Sequence, residues 1–156
     1  MSERQGVPPA TAVALALVGY LALAIAGLGV TSLVTSRDVL EAPGAGPLPG
    51  VVAMAVSAGA IAVGLVVMLR SARPSYGAAF VSALLGFLGY LLGLVVGAVL
   101  GGVPSSALTA AIGSFVLSWF SVVLALAAAV AGWSAVALVR TRAERPRWPW
   151  ESDEDE

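Results

Sequence analysis

Residues 77–100 read GAAFVSALLGFLGYLLGLVVGAVL, 24 consecutive positions without a charged side chain. About 20 apolar residues, rising about 1.5 Å each in a helix, cross the roughly 30 Å hydrocarbon core of a bilayer. Outward from this stretch, the uncharged runs 11–34, 51–69 and 107–139 carry the same message. The sequence therefore predicts an all-α, four-transmembrane-helix bundle with these four spans. The connecting segments are 35–50, 70–76 and 101–106, flanked by an N-terminal 1–10 and a tail at 140–156. Composition agrees: 59% hydrophobic and 11% charged residues in a 156-residue chain leave no length for a separate soluble domain.

The basic residues, all eight of them arginines, predict orientation. Arg4, Arg70, Arg73, Arg140, Arg142, Arg145 and Arg147 fall on one side of a four-span layout, and only Arg37 falls on the other. Arginine excess marks the cytoplasmic side, so both termini are expected inside, and the multi-pass chain in a bacterial plasma membrane. A cleaved signal peptide is the competing reading of the first segment. Its apolar run is about twice the usual length, and Glu3 offsets Arg4, so an uncleaved span is expected, with Pro8 and Pro9 at its start. The 107–139 run would be about 50 Å long as one helix. Its part nearest Arg140, about 118–137, should be the buried length. Residues 107–117 would tilt, dip back or lie at the outer surface, and tilt is the expected solution.

Two stripes of small residues predict helix packing. Gly89, Gly93, Gly97 and Gly101 recur every four positions, with Gly86 close by, and so share one face where another backbone can approach. Packing within the chain is the first reading; a homo-oligomer contact and a glycine-lined pore are the others. Ser114, Ser118, Ser121, Ala125, Ala128, Gly132 and Ala135 alternate spacings of four and three, as in a coiled-coil seam, so tight packing along the whole span is expected, and the serines can bond across helices. Tyr20, Tyr90 and Ser57 fall near mid-span. A phenol in hydrocarbon needs a partner, so a tyrosine–tyrosine or tyrosine–carbonyl contact is expected, with a bound solute or lipid as the alternative.

Chemistry is sparse. With no cysteine and no histidine, thiolate and imidazole metal ligands and the near-neutral proton shuttle are absent, and no metal or cofactor is expected. Serine without histidine, cysteine or lysine lacks a base, so an enzyme is not expected. Asp38 and Glu41 could share a face, but Arg37 can neutralise one of them, and a solvated loop is the plainer reading. The tail has three blocks: Arg140 to Arg147, then Trp148-Pro149-Trp150, then an acidic end holding five of the nine acids. Arginines beside a membrane attract anionic lipid headgroups, and tryptophan favours the headgroup level. The same Arg145–Trp150 block would equally suit a protein partner. Nucleic acid is not an expected partner, because the arginines lie beside an acidic tail and the bilayer.

Three short segments carry a family resemblance: Ala45-Gly46-Pro47-Leu48, Pro74-Ser75-Tyr76-Gly77, and the ending Arg145-Pro-Arg-Trp-Pro-Trp-Glu151. On these the chain resembles a group of uncharacterised, small actinobacterial four-span membrane proteins. The resemblance implies a source and a topology and supplies no site residue. The expected function is a non-enzymatic membrane scaffold or accessory subunit that packs through small-residue faces and displays its tail. The alternative is a passive transporter or channel for a neutral or lipid-linked solute, working as an oligomer.

Overall fold

The computed structural model describes residues 7–39, 46–70 and 75–140. These form five helices: α1 (Pro9–Thr35), α2 (Leu48–Leu69), α3 (Ala78–Leu100), α4 (Ser105–Val116) and α5 (Trp119–Arg140). Among the described residues there is no strand. Helices α1, α2, α3 and α5 have 27, 22, 23 and 22 residues and are long and apolar enough to cross a membrane. They form a ring in which α2 lies against α3, α3 against α5, α5 against α1, and α1 against α2.

Local chemistry sets the helix ends. Pro9 occupies the first position of α1, where a missing N–H costs nothing. At the far end Ser36 adopts the left-handed conformation (φ 51°), the Arg37 N–H bonds the Ser32 carbonyl, and the Ser32 hydroxyl donates to the Arg37 carbonyl at 2.7 Å. Helix α3 closes with a Schellman turn: the Val103 N–H reaches the Ala98 carbonyl and the Gly102 N–H the Val99 carbonyl. Gly102 has φ +67°, a conformation that disfavours any side chain, and Pro104 then starts α4.

Each spanning helix buries a narrow stripe. In α1 it is Ala12, Ala16, Tyr20, Ala24 and Leu28; in α2 it is Ala53, Ser57, Ile61, Leu65 and Leu69. Both stripes step by four, one helix face. The opposite faces carry exposed Val18, Ile25, Val63, Leu92 and Leu126. Inside and outside are equally apolar, so close fit between helices, rather than hydrophobicity, distinguishes the core.

The continuous 107–139 span is corrected. The helix breaks at Leu117 and Ser118, so the run is two helices rather than one. Helix α5 alone, at about 33 Å, suffices to cross the hydrocarbon. The 12-residue α4 is a separate amphipathic piece: Ala111 and Phe115 are buried, while Ser105, Ser106, Thr109 and Ser114 are exposed. Serine side chains bond the carbonyls around the break. The Ser118 hydroxyl donates to the Phe115 carbonyl at 2.7 Å, and the Ser121 hydroxyl shares its one proton between the Ser118 and Val116 carbonyls at 2.8 and 3.1 Å. The Phe115 carbonyl also accepts the Ser118 N–H, so backbone and side chains together satisfy the carbonyls at the break.

Candidate functional site

The α2–α3 seam is where the glycine row acts. A Cβ added at Gly93 would lie 2.5 Å from the Ala53 Cα and 2.9 Å from the Val52 carbonyl oxygen. At Gly97 it would lie 2.7 Å from the Pro49 Cα, and at Gly89 3.0 Å from the Ser57 Cα. These obstacles are backbone atoms and cannot rotate away. The pairing order, Gly89 with Ser57, Gly93 with Ala53 and Gly97 with Pro49, makes the two helices antiparallel. The row is therefore occupied within one chain. Gly101 is not part of this close approach: it is exposed at the end of α3, where an added Cβ would lie 3.2 Å from the Gly97 carbonyl oxygen of its own helix and 3.8 Å from Leu48 Cδ2 of α2.

The second stripe divides. Ala128 and Gly132 meet α3: a Cβ on Gly86 would lie 2.8 Å from the Ala128 Cβ, and one on Gly132 2.7 Å from the Ala78 carbonyl oxygen. This pairing makes α5 antiparallel to α3. Ala135 is buried and Ala125 half-buried. The serines bond locally. Ser114 is exposed and bonds the Ala111 carbonyl of its own helix, while Ser118 and Ser121 serve the helix break, so these hydroxyls turn to local carbonyls rather than across helices.

At mid-bundle, Tyr20, Ser57 and Gly86 form a chain of hydrogen bonds across three helices. The Ser57 hydroxyl donates to the Gly86 carbonyl at 2.8 Å. Its single proton is then used, so at 2.5 Å the Tyr20 hydroxyl is the donor to Ser57. Tyr20 and Ser57 are both fully buried. The partner of Tyr20 is thus the serine, not Tyr90. Tyr90 is buried and stacks on Phe115 of α4, ring centroids 4.7 Å apart and planes at 21°. No sequence period announced Phe115. Nor did one announce Gly27, whose added Cβ would strike the Val123 side chain at 2.6 Å, or Gly64, which faces Leu85.

Among the described residues no group of three or more His, Cys, Asp or Glu side chains comes together. Arg145, Arg147, Trp148, Pro149 and Trp150 lie outside the described residues, as do Arg4, Arg73, Arg142 and Glu41.

Fold and seams define an all-helical, multi-pass membrane protein whose interior is closed by small residues and one buried hydroxyl chain. The chain belongs to the family of unknown function DUF6121, which matches residues 1–156. No match was found among curated proteins or among solved structures.

Proposed function

We propose that this protein is a non-enzymatic scaffold or accessory subunit of a bacterial plasma membrane, with both termini cytoplasmic and an actinobacterial source. The observation that carries the reading is the self-sufficiency of the bundle interior. The glycine row of α3 is filled by α2, and the hydroxyls of Tyr20 and Ser57 are spent on each other and on Gly86. Residues engaged in this way support packing and leave few groups for chemistry. The sequence offers no histidine, cysteine or lysine to assist serine, which argues the same way. Partner contact then falls to the lipid-facing surfaces and to the Trp148-Pro149-Trp150 tail, with its arginines at anionic headgroups.

In-cell crosslinking and affinity recovery of the full chain, beside a Trp148→Ala/Trp150→Ala variant, tests this. One defined membrane partner, recovered with the wild type and lost with the variant, is expected. Recovery of this chain alone from both would remove the accessory-subunit reading. A second reading, passive movement of a neutral or lipid-linked solute, draws on α4, a short helix held apart from α5 and resting on Tyr90 through Phe115. Liposome flux that rises in Phe115→Ala would favour it.

A further inference from the structure

The end of the bundle opposite α4 carries a feature that packing does not explain. Arg140 is the last residue of α5 and is exposed. Its guanidinium carbon sits 5.0 Å from the ring centroid of Tyr76, itself half exposed, in the turn before α3. This is a cation–π distance. The two residues ride on elements that are held together, because Gly132 of α5 lies against the Ala78 carbonyl and Ser82 at the start of α3. The turn bearing Tyr76 is itself tied down: the Gly77 N–H donates to the Ser75 hydroxyl at 3.2 Å and the Ala78 N–H to the Ser75 carbonyl. Arg70 closes α2, which runs antiparallel to α3, so a second exposed guanidinium stands at the same end.

Depth completes the argument. Centred on a hydrocarbon core of about 30 Å, an apolar helix of 22 residues, about 33 Å long, ends just beyond it, where a terminal arginine side chain can reach the lipid phosphates. A cation–π contact uses none of the guanidinium's N–H donors, and so leaves the fork that binds a phosphate through two parallel hydrogen bonds.

We propose that Arg140, pinned over Tyr76, is a binding site for the phosphodiester of an anionic phospholipid, with Arg70 adding charge at the same end. The site requires that the bundle span a bilayer and is independent of the scaffold role, which the crosslinking experiment tests separately. The experiment is native mass spectrometry of the full chain released from mixed phosphatidylglycerol and phosphatidylcholine. Wild type should retain phosphatidylglycerol preferentially, and Arg140→Gln should lower that preference about five-fold, the effect of one charge at the membrane surface. Tyr76→Leu leaves every charge in place and should still lower it about two-fold, because the guanidinium is no longer held. Arg140→Lys should fall between wild type and Arg140→Gln. An unchanged preference in Arg140→Gln, or a Tyr76→Leu variant equal to wild type, would overturn the site. So would removal of the retained lipid by millimolar inorganic phosphate, which would make it a soluble-anion site. Equal helix content by circular dichroism in all variants is the check on folding, and the lysine and leucine variants keep the test valid if the glutamine variant fails it.

Discussion

The α2–α3 seam and the α4–α5 junction are both built from small residues, and they use them in opposite ways. At the seam, glycine contributes by having no side chain, so two backbones close to within the reach of a single Cβ. At the junction, serine contributes by having one, and the Ser121 hydroxyl bonds the Val116 and Ser118 carbonyls beside the break. Smallness alone therefore does not define a packing surface in a membrane. What matters is whether the neighbouring backbone is already satisfied. Along α3 it is, and contact can be purely steric. At 117–118 backbone and side chains share that task.

The sharpest way to break the contrast is to fill the seam. Gly93→Leu places a side chain where the Ala53 Cα and Val52 carbonyl already stand, so the helices must separate or the chain must fail to assemble. A loss of about 3 kcal/mol or more is expected, at the upper end for overpacked cores. Thermal melting in detergent measures it. Gly101→Ala, at the exposed end of the same row, should change stability by under about 0.5 kcal/mol. Equal tolerance at the two positions would sink the steric account of the seam.

A middle-sized effect is expected where the two principles meet, at Ser57. This residue lies beside Gly89 in the seam, yet it works through its hydroxyl, between Tyr20 and the Gly86 carbonyl. Ser57→Ala removes the acceptor and leaves a buried phenol without a partner, at a cost of about 1–2 kcal/mol. Tyr20→Phe removes the donor instead and leaves Ser57 still bonded to Gly86, so it should cost only about 0.6 kcal/mol. The order of the two variants in a chemical unfolding series checks the assigned direction of the bond. If Tyr20→Phe were the more damaging, the serine would not be acting as the relay.

The same contrast explains what could be read in advance. Four spans were legible because charge is absent over whole membrane-crossing lengths, a signal that needs no knowledge of neighbours. The glycine row was legible as a face, since a period of four is a property of one helix. That its partner is α2 was not, because the facing residues Pro49, Ala53 and Ser57 have no distinctive chemistry of their own. Gly101 shares the period but falls where α3 ends, and a period cannot report a helix end. The break at Leu117 was hidden for a related reason. Between Pro104 and Arg140 the run holds glycines only at 113 and 132, and neither marks the break. The Ser118 and Ser121 hydroxyls that bond carbonyls there belong to residues equally compatible with an unbroken helix, as Ser114 and Ser134 show by bonding the carbonyls three residues back inside α4 and α5.

The smallest expected effect tests that last point. In Ser121→Ala, the Val116 and Ser118 carbonyls lose their side-chain donor, while the Ser118 hydroxyl keeps its bond to Phe115. The Ser118 N–H still bonds the Phe115 carbonyl, so the junction keeps part of its hydrogen bonding. A destabilisation of about 0.5–1 kcal/mol follows, the ordinary worth of a hydrogen bond. Hydrogen exchange at the Leu117 to Ser121 amides should rise while exchange along α3 stays unchanged, since the seam has no share in the junction. Loss of protection spreading to Gly89, Gly93 and Gly97 would show the two regions to be one cooperative unit, and the contrast between them would then be one of chemistry alone.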